Sequence, residues 1–173
     1  MPRVAQAGIV STAQKLAEDA ARYVANHAAT QKLEHALKSA VCGLRFDYFA
    51  SEGAFPYGVF VAPEKSSRLD EAGFRKALRI PSDRSITSFS THEFFRAMTA
   101  LGEEAWNVRP AVREQYAALQ RLMESHLIDL GIFVVGQGSE RDVYLCGRTT
   151  SGSIIGLSSK VWGGDTFHPP ANG

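Results

Sequence analysis

Apolar and polar positions alternate most legibly near the C-terminal end of the chain. Three short apolar runs, Ile132–Val135, Val143–Cys146 and Ile154–Leu157, are separated by two turn-rich gaps, Gly136–Arg141 and Arg148–Gly152. Runs of this length, rich in Val, Ile, Phe and Tyr and bounded by Gly and Ser, predict successive strands of an antiparallel meander. Around Arg141–Gly147 the alternation puts Val143, Leu145 and Gly147 on one face and Asp142, Tyr144 and Cys146 on the other. An apolar sheet face of this kind needs a cover. Val112, Tyr116, Leu119, Met123, Leu127 and Leu130 recur at steps of three and four, which predicts a covering helix from Pro110 to about Leu130, closed by Gly131.

Upstream, the pattern changes period several times. Residues 1–10 are expected to fray, and Ser11 or Thr12 caps an Ala-rich helix starting at Ala13. Asn26–Thr30 is read as a break, with Thr30 capping a second helix to about Val41. The first stripe, Leu16, Ala20, Tyr23–Val24 and His27, is thin and suggests an arm packed weakly on the domain or on a partner. Gly43 ends the helix, Leu44–Phe46 is a short strand, and Asp47–Ala54 is a loop. Phe55–Ala62 is the next strand, with Pro56 confined to its start. A short helix over Asp70–Leu78 and an edge strand over Ser85–Phe89 follow, with Pro81 between them. Ser90 or Thr91 then caps a helix carrying Phe94, Phe95 and Met98, with Glu93 three residues after Ser90. Gly102–Asn107 is a loop, and the tail from Gly163 is irregular.

Composition narrows function mainly by exclusion. With 173 residues, 45% hydrophobic and 21% charged, the chain suits one domain with a real core or one domain plus an appendage. A net charge of +1 supplies no field that would draw nucleic acid or a membrane surface. Cys42 and Cys146 have no metal-ligand spacing and are read as two buried thiols of a reducing compartment, with the cytoplasm as the expected location. No apolar run reaches the roughly 18–20 residues of a membrane span, and no secretory leader is expected. His92-Glu93 begins an HExxH pattern, but Arg96 stands where the second His would be, so no zinc is expected. Gly136-Gln137-Gly138 is a hairpin turn and not a nucleotide loop. Arg75, Lys76, Arg79 and Arg84 read as a solvated basic face. No nucleophile–base pair is evident, and neither catalysis nor a cofactor is expected.

Four passages then carry a resemblance: LKSAVCGLRF (37–46), SEGAFPYGVF (51–60), FSTHEFFRAMT (89–99) and, most specifically, DVYLCGRTTSGSIIGLSSKV (142–161). The chain resembles the nuclease A inhibitor family, small proteins that block sugar-non-specific ββα-metal nucleases, over about residues 30–162. The resemblance implies an α/β/α sandwich, an α+β arrangement with a central mainly antiparallel sheet between helical layers. It divides the chain into an N-terminal helical extension (1–29), the inhibitor-like domain (30–162) and a C-terminal tail (163–173). It also implies action by surface contact with a protein partner, a ββα-metal nuclease. Glu52 matches the family's acid in the loop between the first strands. Glu104 and Trp106 match an acid-plus-aromatic contact before the long helix, and Asp165-Thr166 resembles the acidic-Thr pair near the family's chain end. Asp47–Phe49 reads as an insertion, Ala105 replaces an acid, Phe167–Gly173 continue past Thr166, and the arm is additional. An alternative is that the same domain serves as a non-inhibitory interaction module, with the arm recruiting its partner.

Overall fold

The structure, a computed structural model, describes residues 4–47, 53–100 and 108–163, with side chains from Thr12 onward. A single helix, α1 (Val4–Ala40), replaces the two expected in the first forty residues. Thr30 does not cap a second helix: its Oγ1 donates back to the Asn26 carbonyl at 2.9 Å within the same one. The Ala-rich sequence on both sides favours continuation.

Two very short strands, β1 (Arg45–Phe46) and β2 (Phe55–Pro56), pair as a separate hairpin base, Phe46 opposite Phe55. The strand expected over Phe55–Ala62 is therefore split, and only β3 (Gly58–Val61) joins the main sheet. Pro56 has no N–H to offer a ladder, which suits it to the end of such a pair. Next come α2 (Glu71–Ala77), edge strand β4 (Ile86–Phe89), α3 (Thr91–Thr99) and α4 (Pro110–His126). Asp70 caps α2 through Gly73 N, and Ser90 caps α3 through Glu93 N. The meander follows as β5 (Ile128–Val135), β6 (Glu140–Arg148) and β7 (Ile154–Trp162).

Helix α4 ends before the expected Leu130. Ser125 Oγ donates to the Leu122 carbonyl, and Leu127 is already extended at φ −125° and ψ 148°. Gly131 lies inside β5 and caps nothing. A bulge at the start of β5 places Asp129 at φ +55°, where its carboxylate accepts from Arg148 Nε and Nη2 at 3.1 and 2.9 Å. Leu127 and Leu130 kept the helical spacing because both still face the core, one at the helix end and one on the strand.

The five-stranded sheet runs β3-β7-β6-β5-β4, antiparallel throughout. Both faces are buried, the three-layer arrangement expected. On one side Leu33 and Leu37 of α1, Phe94, Phe95 and Met98 of α3, and Tyr116, Leu119 and Met123 of α4 pack on Ile132, Val134, Val143, Leu145, Ile155 and Leu157. On the other, Phe74 and Ala77 of α2 cover Phe133, Val135, Cys146 and Ile154. Phe74 stacks on Phe133 with centroids 4.2 Å apart, which adds roughly 1 kcal/mol beyond area burial. Both cysteines are free, but only Cys146 is buried; the expectation of a buried Cys42 fails because it sits just past the end of α1, outside the core.

Candidate partner-binding end

Residues Glu52, Glu104, Trp106, Asp165 and Thr166 all lie outside the described residues. The segments that carry them can be located by their ends. Helix α4 runs into β5 through Leu127 and packs on the sheet through Tyr116, Leu119 and Met123. β7 finishes paired with the start of β6 (Glu140 opposite Trp162), and β3 begins at the middle of β7, Gly58 opposite Ser158. The β1–β2 hairpin base is fastened beside the middle of β7, where Ser159 Oγ donates to the Phe55 and Pro56 carbonyls at 3.3 and 3.0 Å. Gly163, the last residue described, donates its N–H to Ser139 at 2.9 Å.

Two of the segments have pinned bases. Arg45 Nη1 donates to the Ala54 carbonyl at 2.9 Å across the hairpin base, and Arg113 Nη1 donates to the Ala100 carbonyl at 3.0 Å, joining the first turn of α4 to the end of α3. A third contact joins the two bases. Tyr116 donates its hydroxyl proton to the Arg45 carbonyl at 2.9 Å and accepts from the Tyr57 hydroxyl at 3.0 Å, because Arg45 O has no proton to give. Burial raises both phenols, Tyr116 to about 12 and Tyr57 well above its ordinary value. Gln115 Nε2 donates to Ala40 O and Cys42 O, satisfying carbonyls at the end of α1 and fixing it to α4.

Between these bases lies a cleft of about 460 Å³, lined by Asp47 and Ala54 on one side, Val108 and Arg109 on the other, with Met98 and Tyr116 below. An apolar floor with cationic and anionic rims suits protein side chains better than a phosphate or a metal. Among the described residues, no group of three or more His, Cys, Asp and Glu could hold a metal ion. Nor is any helix among them long and apolar enough to cross a membrane. The basic residues expected as a solvated face are largely paired: Arg79 with Glu64, Arg84 with Asp142, and Arg75 with the Pro81 carbonyl.

The sequence reading missed Arg45, Arg113 and Tyr57 as organisers of this end. In the sequence Tyr116 is a stripe residue, and its one signal is a hydroxyl in an otherwise apolar stripe. No curated protein sequence matches the chain. The family model described as nuclease A inhibitor-like protein does match, over residues 28–162.

Proposed function

The chain belongs to the nuclease A inhibitor-like family, and from that membership we propose that it inhibits a metal-dependent, sugar-non-specific ββα-metal nuclease. The contact residues in this reading are Glu52, Glu104, Trp106, Asp165 and Thr166. A carboxylate offers paired oxygens to Arg or Lys as a scissile phosphate does, so Glu52 and Glu104 compete with the substrate backbone. Trp106 supplies an aromatic anchor of the kind that dominates protein interfaces. Asp165 and Thr166 offer oxygen ligands to the enzyme's divalent ion. The protein contributes contact and no catalysis. The working unit is residues 30–162 with the 163–173 tail, and 1–29 is an appendage. The encounter belongs in the cytoplasm, where both free thiols stay reduced.

The observation that supports this reading is the cleft: the bases of the segments holding Glu52 and Glu104–Trp106 line it together and are joined through Tyr116. Two segments with adjoining bases can offer one partner a single surface. Titrating the protein into cleavage assays with several ββα-metal nucleases tests it. The expected outcome is stoichiometric loss of cleavage, with Glu52→Gln or Trp106→Ala raising the required inhibitor concentration about tenfold or more. Undiminished cleavage at micromolar protein against all of them overturns the proposal.

The near-neutral charge and the exposed N-terminal arm favour a second reading, a non-inhibitory interaction module. Pull-downs with and without residues 1–29 separate the two. An adaptor loses its bound set on deletion, whereas an inhibitor keeps it.

A further inference from the structure

Strand β7 ends on a large aromatic side chain that the core does not absorb. Trp162 is 50% exposed, although Val161 beside it is buried and Ile154 to Leu157 are buried throughout. Alternation explains the difference. Trp162 pairs with Glu140 and shares the α2 side of the sheet with Lys160, Asp142 and Tyr144. Helix α2 reaches Tyr144 on that side through Phe74. Beyond Tyr144 the same side carries charge, with Lys160 paired to Glu140 and Arg84 to Asp142 at 3.6 Å. The indole therefore stands among polar groups whose charges cancel. The other exposed large apolar side chains among the described residues lie elsewhere. Leu16, Tyr23 and Val24 are on α1, and Ile128 is opposite Arg148 at the far end of β6. Val61 is opposite Ile155, seven residues or about 23 Å back along β7.

We infer that Trp162 is a further contact residue for the nuclease, an inference that rests on the inhibitor reading of Asp165 and Thr166. Chain length carries it. Asp165 follows Trp162 by three residues, so their Cα atoms are no more than about 11 Å apart. One side of a standard interface covers about 800 Å², a disc of about 16 Å radius. A partner seated over Asp165 therefore spans the end of β7. There it meets one large exposed apolar side chain among the described residues, and that is Trp162.

The surround has the anatomy of an interface anchor, an aromatic centre with a polar rim. Its backbone is also set before any contact is made. Trp162 is held in the β6 ladder opposite Glu140, and just beyond it the Gly163 N–H donates to the Ser139 carbonyl at 2.9 Å. Little chain entropy is then lost on binding. The partner's chemistry follows from its substrate. A cleft that holds phosphodiesters presents Arg or Lys at its rim, and an indole face attracts such a cation. The paired charges around Trp162 leave no excess of positive charge to repel it.

Inhibition titrations against a nuclease that the wild-type chain blocks are the test, with thermal unfolding followed alongside. Trp162→Ala should raise the inhibition constant about tenfold or more while unfolding stays a single cooperative transition. Trp162→Tyr keeps an aromatic face and should stay within about threefold of the wild type. Ile128→Ala removes a comparably exposed side chain, at 43%, from the far end of the sheet and should inhibit as the wild type does. Full potency in Trp162→Ala overturns the inference and leaves the inhibitor reading standing. An equal loss in Ile128→Ala, or in Trp162→Tyr, overturns it in the same way. A wild-type chain that inhibits no ββα-metal nuclease overturns the reading and the inference together.

Discussion

The phenol of Tyr116 ties α4 to β1 and has a single proton arrangement, Tyr57 to Tyr116 to the Arg45 carbonyl. Burial is the main cause of its raised pKa; the Tyr57 hydrogen bond pulls the other way, and the charge of Asp47 raises it further. A folded value of about 12 against an ordinary 10 means the native state holds this proton more tightly than the unfolded chain. The resulting stability is complete below about pH 10 and is lost as pH rises towards about 12, up to roughly 2.7 kcal/mol for two units. Urea titrations at pH 8 and in that alkaline window should show the fall. Tyr116→Phe should cost about 1–2 kcal/mol at pH 8 by stranding the Arg45 carbonyl, and should flatten the alkaline slope, with Tyr57 leaving a remainder. Gly156 is a second sensitive position, for steric reasons. A β-carbon there would collide with the Leu145 carbonyl and the Cys146 side chain on the neighbouring strand. Gly156→Ala should therefore cost about 3 kcal/mol, read as a lowered denaturation midpoint.

Among the elements, α1 divides most sharply into a part that matters to folding and a part that does not. Leu33 and Leu37 are buried, while Thr12–Ala25 are exposed throughout. Deleting residues 1–29 should change unfolding free energy by no more than about 0.5 kcal/mol, whereas Leu37→Ala should cost about 2–5 kcal/mol. The meander, the edge strand β4 and the Ser90 cap were legible because each rests on local spacing: period two, a turn, or a hydroxyl three residues ahead of an N–H. The end of α4 was not legible. A buried Leu127 followed by a half-buried Leu130 keeps the helical period even though the backbone has turned into β5. The break expected at Asn26–Thr30 failed for the opposite reason, since a polar cluster that would cap in isolation is satisfied within the longer helix.

For the whole molecule, the fold class is legible in residues 142–161, whose apolar strand residues pack into the two cores. The candidate end was legible only through family pattern at Glu52, Glu104, Trp106, Asp165 and Thr166. Its anchoring was not legible at all, because Tyr116 and Arg45 meet across 71 residues of sequence and no local period encodes that pairing. Two-sided burial of the sheet also has a consequence for reactivity. Cys146 sits on β6 beneath α2, fully buried, with its thiol pKa pushed up by that burial, while Cys42 is exposed. A thiol reagent should therefore label the native protein in two kinetic steps, Cys42 at once and Cys146 only as often as the central strands come apart. The slow step would report the opening of the whole molecule. Its rate should rise in Gly156→Ala and stay unchanged when residues 1–29 are removed, which makes the second thiol a built-in clock for global unfolding under native conditions.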